Sequence, residues 1–260
     1  MTALAELFPD EDFRFRLNLR REEPQAFFAP QDSTGRILAE RSAWLRAAPA
    51  TYAGLLPEGQ PLWREFSALC ASWGLGDPSS VDTLGATLEP DFLFLSPETA
   101  GGAFKLRGGA LCFPTGWALQ EKLGRPLEEI HGVVPGLNPA LQSPIHQFLA
   151  KLKPGVAFQR ANWGIAGSNE LNLHPIRGLP GPEKAALNQL FLRVEHQVLI
   201  GLPDTKGVVF GIRIQLYPLD LIIANERLRT GLKRALMTMP AEVAAYKRLD
   251  AVQARLVALL

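Results

Sequence analysis

An α+β fold with a mainly antiparallel sheet is predicted by three features of this 260-residue sequence. Helical periodicity dominates the first third and the C-terminal end. Short apolar runs broken by paired glycines fill the middle, and no phosphate-cradling loop of a doubly wound nucleotide fold has a place: there is no GxGxxG after a strand and no GxxxxGKS or GxxxxGKT.

In chain order, residues 13–19 (FRFRLNL) alternate apolar and polar side chains, the period of a half-buried strand. Residues 33–48 and 61–73 carry helical spacing, the second opened by Pro61. Apolar runs at 92–95 and 110–113, with Gly101-Gly102 and Gly108-Gly109 between them, predict hairpin strands. Residues 117–123 predict a short helix ended by Gly124, and Pro126 opens a further turn or helix. Two prolines exclude regular helix from 132–139, which predicts a shaped loop. A helix follows over 143–152, with Ser143 as cap and Pro144 in first position, and then a strand over 156–165. Leu187, Leu190, Phe191, Val194 and Val198 fit one helical face, so 182–199 predicts a helix with Glu195 and Gln197 flanking that stripe and His196 pointing away. From Gly207, Phe210, Ile212, Ile214 and Leu216 alternate with polar residues, placing Arg213 opposite the apolar row. Helices over 218–237 and from Pro240 onward complete the chain. We expect one domain, with residues 1–88 as a helical N-terminal elaboration.

With 27 Lys plus Arg against 26 Asp plus Glu, the net charge is +1, which lacks the basic excess that carries nucleic-acid affinity. A composition 47% hydrophobic and 20% charged supports a sizeable core. No apolar run approaches the roughly 20 residues of a membrane helix. The start, MTALAELFPDEDFRFR, has no basic n-region or long apolar stretch, so the mature chain is expected to begin near Met1. Cys70 and Cys112 stand apart, which excludes a disulfide framework and fits a reducing cytoplasm.

Four histidines can be weighed singly. His131 ends a helical segment before the proline-rich loop, a position that either caps the helix or aims an imidazole into a cavity. His146 and His196 lie on helical faces and His174 precedes Pro175 in a loop, all compatible with ordinary structural roles. No pair has zinc-ligand spacing, and there is no GxSxG nucleophile elbow. Cys112 beside Phe113 reads as an inert core thiol. Arg160 and Asn162 share one side of their strand, with Trp163 on the other, which fits an exposed sheet face; Arg160 and Arg213 also fit a fork for a carboxylate, including a haem propionate. Glu195 fits a carboxylate for a cationic ligand as well as a surface ion pair.

The run Cys112-Phe113-Pro114-Thr115-Gly116-Trp117, then Glu121-Lys122-Leu123-Gly124, Ile130-His131, Val134-Pro135-Gly136-Leu137-Asn138, Arg160, Asn162-Trp163, Arg193-Val194-Glu195-His196-Gln197, Leu202-Pro203 and Phe210-Gly211-Ile212-Arg213 resembles the haem-dependent oxidative N-demethylase α-subunit family. The resemblance implies a PAS-like haem-binding core with N- and C-terminal helical additions. It also implies a non-covalent haem b whose iron activates oxygen, in a monooxygenase-type demethylation of a small secondary amine such as dimethylamine that releases formaldehyde. Electrons would come from a partner reductase carrying flavin and an iron–sulfur cluster, because two cysteines cannot hold a four-thiolate cluster. The absence of CxxCH agrees with non-covalent haem. Carried over, His131 is the expected iron ligand, Arg160, Asn162 and Arg213 are cofactor partners, and Glu195 and Gln197 match a catalytic Glu-Arg-Gln motif. Two departures stand out: His196 replaces the motif's arginine, and Phe27-Phe28-Ala29-Pro30 replaces a segment with tryptophan and an acid. They keep open a non-catalytic PAS-like haem or small-ligand sensor, since a fold does not guarantee chemistry.

Overall fold

The computed structural model describes residues 4, 6–76, 78–99 and 101–260; Met1, the expected start of the mature chain, lies outside them. An antiparallel sheet organises the chain, as the apolar runs of the middle and the C-terminal half predict, and it has seven strands. Its strands are β1 (Arg20–Glu22), β2 (Ala53–Leu55), β3 (Asp91–Pro97), β4 (Phe104–Ala110), β5 (Ala157–Ala166), β6 (Phe191–Gly201) and β7 (Val208–Pro218). They lie in the order β1-β5-β6-β7-β3-β4-β2, and every pairing is antiparallel. Helices α1 (Pro24–Phe28), α2 (Arg36–Ala47), α3 (Pro49–Tyr52), α4 (Gln60–Ser72) and α5 (Val81–Thr87) come from the N-terminal part. Helices α6 (Leu127–Gly132) and α7 (Leu137–Lys151) join β4 to β5, and α8 (Leu219–Ile223), α9 (Glu226–Thr238), α10 (Ala241–Tyr246) and α11 (Gln253–Leu259) follow β7.

Alternation along the strands gives the sheet two different faces. On one, Phe92, Phe94, Val198, Ile200 and Val209 pack against Phe28 of α1, Phe66 of α4 and Leu84 of α5. Farther along the same face, Ile165, Leu192 and Val194 meet Leu232 of α9, Val243 of α10 and Leu256 of α11. On the other face, Leu93, Leu95, Ile212 and Ile214 pack under Ile130 of α6 and Ile145, Phe148 and Leu149 of α7. Phe148 meets Phe158 of β5 edge-on, with ring centroids 5.5 Å apart. The functional consequence is that α6 and α7 roof the face to which Arg160 belongs.

Several expectations are corrected. Residues 13–19 form no strand: Asn18 takes a left-handed φ of 42°, so only Arg20–Glu22 reaches β5, while Phe13 and Phe15 still pack on the core. Gly108-Gly109 lies inside β4 rather than between strands, because neighbouring backbones approach too closely for side chains; a Cβ on Gly109 would sit 2.1 Å from Phe92 O. Residues 110–113 therefore mark the exit of β4. The short helix at 117–123 reduces to a 3-10 turn at Leu119–Glu121. The 132–139 loop is shorter than predicted, since α7 begins at Leu137 and accepts Pro139 in its first turn, where no intrahelical donor is needed. Ser143 is thus not a cap, and Pro144 lies within α7.

The largest correction concerns 182–199. This segment holds two 3-10 turns, Pro182–Lys184 and Leu187–Gln189, and then β6. Leu192, Val194, Val198 and Ile200 also fit a two-residue period, and pairing with both β5 and β7 decides between the two patterns. The helices predicted over 218–237 and from Pro240 each divide in two. Asn225 breaks the first by capping α9 with a side-chain oxygen that accepts Leu228 N–H. Among the described residues, no helix is long and apolar enough to cross a membrane.

Fully buried polar contacts pin these layers. Arg41 Nη1 donates to Asp91 Oδ1 at 2.6 Å and Arg41 Nε donates to Gly85 O at 2.8 Å, with both charged side chains 0% exposed. Asp91 also accepts the amides of Cys112 at 2.6 Å and Phe113 at 3.0 Å. Removing one member of a buried pair leaves the other charge uncompensated, so Asp91→Ala is expected to cost about 3–5 kcal/mol in urea unfolding. Burial pushes the thiols of Cys70 and Cys112 up to about 12, so both stay protonated at neutral and mildly alkaline pH. Neither should react with iodoacetamide at pH 8 until the chain is unfolded, as mass spectrometry would show.

Candidate functional site

Register brings four of the candidate residues onto one patch. In the β5–β6 pairing, Arg160 lies opposite Gln197 and Asn162 opposite Glu195. Paired residues of an antiparallel ladder share a face, and residues two apart return to it, so all four lie under α6 and α7. The predicted helical phase had separated Glu195 from Gln197 across a stripe; as strand residues they are neighbours. His196 points to the opposite face, where its Nε2 lies 2.9 Å from Gln215 Oε1, and burial lowers its pKa.

Glu195 is the focus of the patch. Its Oε1 accepts the Thr115 hydroxyl at 2.5 Å, and its Oε2 accepts Gln197 Nε2 at 2.9 Å and Asn162 Nδ2 at 3.4 Å. A carboxylate is an acceptor-only group, and three donors fix its plane. Thr115 is fixed in turn, because its Oγ1 accepts Arg193 Nε at 2.9 Å. Arg193 is 1% exposed and is held mainly by carbonyls: Nη2 donates to Phe113 O at 2.8 Å and Leu171 O at 2.9 Å. Burial draws its pKa down to about 10, against the opposing charge of Glu195. The chain Arg193–Thr115–Glu195 thus ties the patch to the loop after β4.

His131 stands on α6, one of the two helices over this face. It is half-buried, and its pKa is lowered first by burial and then by the nearby Arg160 charge, which keeps the imidazole neutral. Arg160 is itself desolvated, with Glu195 opposing the loss of charge, and its buried Nε has no hydrogen-bond partner among the described residues. Beside His131, Glu128, Asn138 and His146 help to enclose a cavity of about 20 Å³, room for one water. A second cavity, about 110 Å³, is lined by Arg160, Asn162, Trp163 and Lys247 together with residues of the 7–18 segment.

Arg213 does not join this group. It lies on the opposite face, ion-paired with Glu89, and donates to Phe27 O at 2.7 Å and Ala29 O at 2.9 Å. Burial lowers its pKa and the Glu89 carboxylate opposes that shift. Glu89 also accepts the amides of Gln31 and Asp32, so this pair anchors the N-terminal segment that departs from the resembled pattern.

The donor types fit a haem, since an imidazole can ligate iron and a guanidinium can take a propionate, but His131 and Arg160 line separate cavities with no wall residue in common. That fit rests on donor chemistry rather than on open volume, since pockets that bury drug-sized ligands run to about 300–1,000 Å³. No group of three or more His, Cys, Asp or Glu that could hold a bare metal ion occurs among the described residues. Sequence reasoning missed Thr115, Arg193 and Lys247. Thr115 was visible as part of the Cys112–Trp117 run, but nothing local signals what its hydroxyl meets. Thr115 is exposed, so Thr115→Val should destabilise by about 1 kcal/mol, the net worth of a typical hydrogen bond, and Thr115→Ser by less, in urea unfolding.

Residues 64–257 match the family described as haem-dependent oxidative N-demethylase, alpha subunit-like, and the chain belongs to that family.

Proposed function

We propose, with that membership as premise, that this chain is a haem-binding subunit that oxidatively demethylates a small secondary amine such as dimethylamine. The observation that carries the reading is Arg160, whose buried Nε has no partner among the described residues, on the sheet face that also presents Glu195, with the half-buried His131 of α6 within reach of its charge. The five central strands lie in the order 2-1-5-4-3 when counted from β3, with α6 and α7 inserted between the second and third. That arrangement supports the PAS-like reading, with residues 1–88 as an elaboration of a single haem-binding domain.

In this reading His131 holds the iron of a haem b, and Arg160 with Asn162 anchors the cofactor's edge. When bound, the haem supplies oxygen activation and the oxidation of the N-methyl group. Glu195 receives the substrate as a dimethylammonium ion, a charge-assisted contact, and can take the proton that must leave before the nitrogen lone pair is free. Gln197, Asn162 and Thr115 hold the carboxylate plane while that proton is moved. His196 lies across the sheet from Glu195, so its replacement of the motif arginine leaves the Glu195 contacts intact. Electrons must come from elsewhere, since both thiols are buried and two cannot hold an iron–sulfur cluster. A cytoplasmic reductase with flavin and an iron–sulfur centre is the partner this requires.

The test is an absorption spectrum of protein expressed with haem precursor, beside His131→Ala. A Soret band that is lost or shifted in the variant is expected, and an unchanged band would refute the ligand assignment. Haem-loaded protein supplied with a reductant should release formaldehyde from dimethylamine, with Glu195→Gln at least tenfold slower; no formaldehyde from the loaded wild type would exclude this substrate.

A further inference from the structure

The cavity between residues 7–18 and β5 has an uncompensated charge. Arg14, Arg16, Arg160 and Lys247 line it, against Glu11 and Asp12. Both acids are already engaged: Glu11 Oε2 accepts Arg14 and Arg16 at 2.6 Å each, and Asp12 Oδ1 accepts Arg234 Nε at 3.0 Å. Arg160 and Lys247 form no salt bridge among the described residues. Arg160 Nε has no partner, and Lys247 Nζ donates to Trp163 O at 2.7 Å, which uses one of an ammonium's three protons. Glu195 exerts an opposing field on both cations but forms a salt bridge with neither among the described residues. Burial brings Lys247 down to about 8, the expected mark of a cation short of a counter-charge. The walls include Phe13, Phe15 and the Trp163 ring, which lies 5.3 Å from Lys247 Nζ, so the space suits an organic anion better than a hydrated inorganic one.

We propose that this cavity is a carboxylate site, in which Arg160 of β5 and Lys247 at the end of α10 together hold one anionic carboxyl group. An arginine fork matches the two oxygens of a carboxylate, and a lysine adds a point charge from the C-terminal helices. The carboxylate has two possible sources, a propionate of the bound haem or a small free organic acid. The first source rests on the haem reading above, and the second does not.

Two arms separate the sources. In the first, haem and its dimethyl ester are titrated into wild type, Lys247→Met and Lys247→Arg, and affinity is read from the Soret band. If the site takes a propionate, wild type prefers haem to the ester by about tenfold, Lys247→Met loses the preference, and Lys247→Arg restores it. In the second arm, succinate is titrated into the haem-free full-length chain and followed by tryptophan fluorescence and calorimetry. If the site takes a free acid, succinate binds wild type and Lys247→Arg at least tenfold more tightly than Lys247→Met, while haem and ester bind wild type equally. Equal affinity for haem and ester, together with succinate binding that Lys247→Met does not weaken, overturns the proposal. A chain that takes up no haem at all would refute the demethylase reading, and the succinate arm would still decide this site.

Discussion

The short exit of β4 is the constraint on which the rest depends. Asp91 takes the amides of Cys112 and Phe113, and Arg193 takes the carbonyl of Phe113 and the hydroxyl of Thr115. Asp91 is in turn neutralised by Arg41, so a single buried network joins α2, β3, β6 and the loop that carries Thr115. Each of these groups would be costly alone in the interior. Together they satisfy one another except at Arg41 Nη2, which has no hydrogen-bond partner among the described residues, and they set where the Thr115 hydroxyl meets Glu195. The candidate site is therefore positioned by interior electrostatics as much as by sheet packing.

Segregation of the two sheet faces follows from the same economy of charge. One face carries Arg213 with Glu89, plus His196 and Gln215, among helices from both ends of the chain. The other carries Arg193, Glu195, Gln197, Arg160 and Asn162 beneath the helices between β4 and β5. Each face keeps one buried guanidinium Nε without a partner among the described residues, Arg213 on the first and Arg160 on the second, but Arg213 is ion-paired with Glu89 while Arg160 has no salt bridge, so the ligand reading attaches to the second face.

What could be read from the sequence follows a physical line. The period of two placed Arg160 and Asn162 together and Trp163 apart, because β5 is long and its pattern admits one interpretation. Glu195 and Gln197 were identifiable as residues, but not as neighbours: Leu187, Leu190, Phe191, Val194 and Val198 satisfy a helical face, and only pairing with strands on both sides selects the extended form. Arg193 stood in the Arg193–Gln197 run but its role gave no signal, because its partners are carbonyls of Phe113, Pro114 and Leu171, remote in sequence. Lys247 was equally silent, since it meets Trp163 only when the C-terminal helices dock against the sheet. Local chemistry reveals faces and caps; which buried cation meets which distant oxygen is decided by tertiary packing.

Residues 13–19 alternate as a strand would and yet form none, with a consequence for the sheet's border. β1 covers β5 only from Ala157 to Gln159, and the remainder of that strand has no ladder partner on its outer side among the described residues. Such a border is a template for pairing with another chain. Here it is shielded by side chains rather than by backbone hydrogen bonds: Phe13 and Phe15 pack inward, and Glu11 ties down Arg14 and Arg16. The wall of the cationic cavity and the guard of the sheet's border are thus one segment, and its loss would expose both a charged hollow and an adhesive edge.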